Sequence, residues 1–89
     1  MLKLRTTHQF ERDFKRVLRR SRKEEKIISV MKKLISQEPL EIKYKDHNLT
    51  GEYKNRRECH IEPDWLLVYK ISEDEIIFER TGSHADLFR

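Results

Sequence analysis

Glycine and proline each occur only twice in these 89 residues, and cysteine once. With only Gly51 and Gly82 to draw on, no glycine-rich phosphate loop can be built, so nucleotide-driven chemistry is not expected. A lone Cys59 cannot close an internal disulfide, and no CxxC, HxxxH or HExxH spacing offers a ready metal site. No apolar run approaches the roughly 20 residues of a membrane span. None follows Met1 as a leader either, so a cytoplasmic protein with no membrane partner is expected. Repeats, low-complexity tracts and linkers are also missing, and residues 1–89 read as a single domain. A domain of this size buries roughly 60–65% of its unfolded surface. It has little room for a deep cleft, and any active site must be open.

Charge is what the chain has in abundance, and it is unevenly placed. Residues 1–23 carry nine Lys and Arg against Glu11 and Asp13, a net of +7, while the rest carries −3. A basic first third suits a phosphate backbone or an acidic protein partner; a solvated helix face is the plainer alternative. Against this background stand three histidines in polar, turn-forming surroundings: Asp46-His47-Asn48, Cys59-His60-Ile61-Glu62-Pro63-Asp64 and Gly82-Ser83-His84. Imidazole both takes and gives a proton near neutral pH. Several such groups on a cationic protein suggest acid–base chemistry on an anionic polymer, with RNA the foremost candidate.

The pattern predicts an α+β fold, β-α-α-β-β-β, with a two-helix hairpin packed on a small, mostly antiparallel sheet. Leu2-Lys3-Leu4-Arg5-Thr6 alternates as a strand with one buried face. Thr6 and Gln9 have capping-box spacing and open a helix with the stripe Phe10, Phe14, Val17, Leu18. Ser21 and Glu24 repeat that spacing and open a second, with Ile27, Ile28, Met31, Leu34 and Ile35 inward and Pro39 as its stop. Segments 52–61, 65–71 and 75–81 form a meander with short turns at Glu62-Pro63-Asp64 and Ser72-Glu73-Asp74. The first strand is expected at its edge, and the nearly all-apolar Trp65–Tyr69 run at its centre.

Alternation puts Arg56, Glu58 and His60 on one face and Arg57, Cys59 and Ile61 on the other. A helix-covered face would not accept Arg, Glu and His in a row, so the first set points to a site. Arg80 lies a few residues before His84, and Asp46 and Asp64 lie near His47 and His60, where a carboxylate can orient an imidazole. Each residue also has a structural reading: Asp64 after Pro63 as a turn residue, Asp46-His47-Asn48 as a polar loop, Trp65 and Phe88 as packing, His8 as surface. Zinc binding by the histidines is the rival use. Cys59 and His60 point to opposite faces and cannot readily share an ion, and an inward Cys59 would be inert as a nucleophile.

The strings Tyr44-Lys45-Asp46-His47-Asn48-Leu49-Thr50-Gly51, Arg57-Glu58-Cys59-His60-Ile61-Glu62-Pro63-Asp64-Trp65-Leu66-Leu67-Val68-Tyr69-Lys70 and Glu79-Arg80-Thr81-Gly82-Ser83-His84-Ala85-Asp86-Leu87-Phe88 together resemble the YafQ branch of the RelE/ParE toxin superfamily. The likeness spans nearly the whole chain and is strongest over residues 44–88. It implies a RelE-like domain with a short C-terminal segment, acting as a type II toxin that cuts messenger RNA in the ribosomal decoding site. It also implies silencing by an acidic antitoxin, through which the complex binds DNA. YafQ-like members differ from the RelE branch in using histidines and an aspartate, so His47, His60, Asp64 and His84 become one catalytic set, with no metal or other cofactor. His84 is assigned as general acid, His60 or His47 as base, and Asp64 as orienting group or base. Arg80, Glu58, Phe88 and Trp65 are placed at the substrate: Arg80 on the scissile phosphate, Phe88 or Trp65 under a splayed base. The basic first third is expected to grip ribosomal RNA. The alternatives are a noncatalytic RNA-binding or interaction module and a ParE-like toxin directed at DNA gyrase.

Overall fold

The structure, a computed structural model describing residues 1–88, has the element order β1 (Lys3–Thr6), α1 (His8–Arg19), α2 (Glu24–Ile35), β2 (His47–Asn48), β3 (Arg57–Glu62), β4 (Trp65–Ser72), β5 (Glu75–Gly82) and α3 (His84–Leu87). The α+β class and the helix hairpin on a sheet agree with the sequence. A two-residue β2 and a one-turn α3 are additions. The strands lie in the order β1-β5-β4-β3-β2, with β1 parallel to β5 and the other neighbours antiparallel. β4 is therefore central, and Trp65 through Tyr69 are all buried.

One face of the sheet carries Trp65, Leu67, Tyr69, Cys59, Ile61, Ile76 and Phe78, which pack against Phe10 and Val17 of α1 and Ile27, Val30, Met31 and Leu34 of α2. Burial of apolar area on this scale, at about 25 cal/mol per Å², is the main force holding the helices to the sheet. The other face has a smaller apolar cluster, Leu66, Val68 and Leu87 with Leu49 beside them. That second cluster ties α3 to the strands and leaves the adjoining part of the face open for polar groups.

Several sequence expectations need correction at element ends. Thr6 is still paired in β1, opposite Phe78, so α1 starts one residue later and Thr7 is its N-cap, its hydroxyl accepting from Phe10 N–H at 2.9 Å. Gln9 turns instead to Asp13. Ser21 does not cap α2 because its left-handed backbone, φ 62°, closes α1: Ser21 N–H bonds to Leu18 O and Arg22 N–H to Val17 O, the Schellman pattern. Gln37, φ 58°, ends α2 in the same way, before Pro39 is reached. The segment 52–61 is a strand only from Arg57, since Gly51–Tyr53 is a 3₁₀ turn and Asn55 is left-handed. β1 has no buried face: Lys3–Thr6 are all exposed, and the buried residue is Leu2, just ahead of them.

Candidate active site

Pairing of β2 with β3 sets His47 opposite Glu58, and His60 follows two residues later on the same face. One nearly buried carboxylate oxygen thus lies between two imidazoles, Glu58 Oε1 being 3.6 Å from His47 Nε2 and 3.5 Å from His60 Nε2. Each ring is held at its other nitrogen, His47 Nδ1 by the Lys45 carbonyl at 2.6 Å and His60 Nδ1 by the Pro63 carbonyl at 3.3 Å. A carbonyl only accepts, so both Nδ1 atoms carry hydrogen, and Nε2, the nitrogen left to take up or give a proton, faces the Glu58 carboxylate. Sequence alternation placed Glu58 and His60 together; the seat of Glu58 between two histidines depends on β2, which it did not reveal.

His84 completes the row. Its ring centroid is 5.7 Å from that of His60, which is 6.2 Å from that of His47. At the start of α3 it donates its backbone N–H, at 2.9 Å, and Nδ1–H, at 2.7 Å, to the same oxygen of Asp64 in the β3–β4 turn. Asp64 therefore partners His84, not its sequence neighbour His60. The backbone and ring donations from His84 hold its carboxyl below the usual aspartate range. The stabilisation from this clip is complete above the unfolded aspartate value and is lost as the pH falls through the depressed one. In a pH titration followed by carboxyl carbon NMR, the Asp64 midpoint is expected below ~3.9. It should return only partway in His84→Ala, which keeps the backbone N–H; a wild-type midpoint at or above the free value contradicts the clip.

The turn into α3 is fixed by a capping box, Ser83 Oγ accepting from Asp86 N–H at 3.1 Å and Asp86 from Ser83 N–H at 3.0 Å. Burial raises the Asp86 carboxyl, but the Ser83 backbone and hydroxyl and Arg20, at 2.8 Å, outweigh it and leave it lowered. Gly82 is required here: a Cβ at this position would sit 3.0 Å from Asp86 Oδ2. Phe88 follows, half exposed, edge-on to Tyr53 with centroids 5.3 Å apart. Tyr53 carried no recognisable signal in sequence.

Asp46 does not touch His47. It turns to the helix side of the sheet, where Tyr69 Oη donates to it and Arg57 reaches it from Nη2 at 3.1 Å. Arg57 also donates to Asn48 Oδ1 at 2.7 Å, so residues on both sides of His47 are tied to β3 and β4.

Two further expectations change. Trp65 is 0% exposed, with Arg22 over its ring and Nε1–H donating to Thr81 Oγ1 at 3.0 Å; it offers no face to a base and is a packing residue. Arg80 wraps the open edge of β5 to Asp13, Nε to Oδ2 at 2.7 Å. Asp13 is itself 0% exposed and also accepts from Thr81 N–H at 3.2 Å, from Gln9 and from Arg16. This carboxylate, projecting from α1, substitutes for the strand partner that β5 lacks beyond β1. Cys59 is buried on the helix side and its thiol is pushed up by that burial, as its inward position implied. Among the described residues, no three His, Cys, Asp or Glu side chains are grouped so as to hold a metal ion. Alongside His60 runs a groove of about 590 Å³, lined also by Lys26, Ser29, Tyr44 and Lys45.

A helix hairpin over a five-stranded sheet, with three imidazoles and two carboxylates on the uncovered side, defines a small α+β protein with an open cluster of ionisable groups. The family model for the bacterial toxin of type II toxin–antitoxin systems, YafQ, matches residues 2–89, and the chain belongs to this family. It is similar to the mRNA interferase toxin YafQ of Escherichia coli K12, 43% identical over 81 residues that cover 90% of this chain and 88% of that one. YafQ in the E. coli DinJ–YafQ complex superposes with a TM-score of 0.93 at 39% identity, covering both chains fully. A metal-bound toxin from Helicobacter pylori does so with a TM-score of 0.93 at 40% identity, over 99% of this chain and 100% of that one.

Proposed function

We propose that this toxin is a ribosome-dependent endoribonuclease that cuts translated messenger RNA by acid–base catalysis, and that a cognate antitoxin holds it silent. The observation that carries the reading is the row His47, His60, His84 with Glu58 and Asp64 in its gaps. Cleavage needs a base for the 2′-hydroxyl, positive charge at the phosphate and an acid for the 5′-oxygen. His84 serves as the acid, since Asp64 balances the charge of its protonated ring and leaves Nε2 to donate. His60 serves as the base, with Glu58 facing its Nε2 and that of His47, so that a proton taken by either ring meets a carboxylate. The attacking 2′-oxygen closes on phosphorus as the 5′-oxygen leaves, giving a 2′,3′-cyclic phosphate and a 5′-hydroxyl. Arg80, drawn to Asp13, supports β5 more than the phosphate, and Phe88 remains the stacking candidate.

An open site on so small a domain fits a substrate positioned by another body, and the ribosome supplies that positioning. Lys15, Arg19 and Lys23 extend the basic first third for ribosomal RNA or for an acidic antitoxin segment. The DinJ–YafQ complex supports the antitoxin partner. Among the described residues no helix is long and apolar enough to cross a membrane.

Mapping the 5′ ends of cellular messages after brief induction tests the reading. Wild type should produce new ends within open reading frames, in a fixed relation to the frame, and none in a message whose start codon has been removed. His60→Ala should produce few or none. Equal cutting of the untranslated message would defeat the ribosome-dependent reading.

A further inference from the structure

We propose that Asp46, Tyr69 and Arg57 form a tether that positions His47 for catalysis, so that three residues with no place at the reacting atoms set the rate through the loop they hold. The inference rests on the catalytic reading above. β2 is only two residues long and lies at the sheet edge, too short to fix His47 by strand pairing alone. Its position needs another source of rigidity, and the adjacent residues provide it.

Backbone alternation sends His47 to the open face and Asp46 to the helix side. There the carboxylate meets Tyr69, a residue of the main core whose ring packs against Phe78 at 6.3 Å between centroids. Tyr69 Oη donates to Asp46 Oδ1, while Arg57 donates Nε to the same oxygen at 3.3 Å and places Nη2 3.1 Å from Oδ2. Arg57 and Tyr69 are themselves cross-strand partners in β3 and β4, so both donors come from inner, doubly paired strands of the sheet. Nη1 of Arg57 reaches past His47 to Asn48 Oδ1 at 2.7 Å.

Both flanks of His47 are thus bonded to one guanidinium. Lys45, in the left-handed region at φ 47°, turns its carbonyl onto His47 Nδ1 at 2.6 Å, so the ring's tautomer depends on the same loop conformation. Desolvation and the bond to Asp46 keep the Tyr69 phenol protonated across the working range, which preserves it as a donor. Loosening the tether leaves His47 in place chemically but free to drift from Glu58, and a misplacement of about 1 Å can cost about 10²-fold in rate.

The test uses Asp46→Asn and Tyr69→Phe, made in the wild-type chain and in His47→Ala. Single-turnover cleavage of ribosome-bound message is measured beside the NMR resonances of the His47 ring. Each single variant is expected to lose about 5- to 50-fold in maximal rate with little change in the toxin concentration giving half that rate. Each should also shift the His47 ring resonances, and in His47→Ala neither should cause further loss. Arg57→Lys, which keeps the charge but not the fork to Asp46 and Asn48, should fall with them. Equal losses in both backgrounds, or wild-type rates with an unmoved His47 ring, would overturn the tether. If His47→Ala itself cuts at the wild-type rate, the catalytic reading of His47 fails separately. The ring resonances then decide: movement in both variants supports the tether, and no movement overturns it.

Discussion

His84→Ala is expected to slow single-turnover cleavage of ribosome-bound message by about 10²–10⁴-fold, the usual contribution of a positioned proton donor. The side chain is 56% exposed and its ion pair is with the exposed Asp64, so removing it should leave the melting temperature nearly unchanged. The backbone N–H of residue 84 still binds Asp64 in the variant, which keeps the turn into α3. The discriminating measurement replaces the 5′-oxygen leaving group by sulfur. A thiolate leaves without protonation, so the variant should recover most of its loss on that substrate if His84 is the acid. Failure to recover would assign His84 a binding role and move the acid elsewhere in the row.

Asp13→Ala is expected to have the largest effect on stability. It strips the partner from Arg80 and Arg16 and leaves the N–H of buried Thr81 without an acceptor. Loss of a buried, multiply bonded carboxylate of this kind costs about 2–4 kcal/mol, the lower end applying because both guanidiniums keep some access to water. For a domain of this size that is a fall in Tm of roughly 10–25 °C. Asp13→Asn keeps an acceptor oxygen for Thr81 and should fall much less. Equal melting temperatures for the Ala and Asn variants would show that charge, not the bond to β5, is what matters; both near wild type would show that Asp13 is dispensable.

Much of this was legible in the chain. The helix stripes and the apolar β4 run follow from side-chain periodicity, a local property that tertiary packing reinforces. The shared face of Glu58 and His60 follows from strand alternation, and the four residues His47, His60, Asp64 and His84 do converge. What could not be read depends on partners remote in sequence. β2 is too short for periodicity to register, so the seat of Glu58 between two rings was hidden. Asp13 looked like one acidic residue on a basic helix because its role is set by Arg80 and Thr81, nearly seventy positions away. Trp65 looked available as an aromatic platform because the apolar run does not say which of its faces the helices cover. Ser21 misled for a different reason, since serine serves a helix start and, less often, a left-handed helix end.

The parallel contact of β1 with β5 has a kinetic consequence. Arg5 and Glu75 lie 70 positions apart, and closing a loop of that length costs chain entropy that adjacent hairpins do not face. The β3–β4–β5 meander, joined by two short turns, can form first; β1 then adds to a sheet already present. Its four exposed residues bury little apolar area to offset that cost. β1 is thus held to the sheet mainly by its backbone pairing, and its detachment would bare a row of backbone groups along β5, where another extended segment could pair.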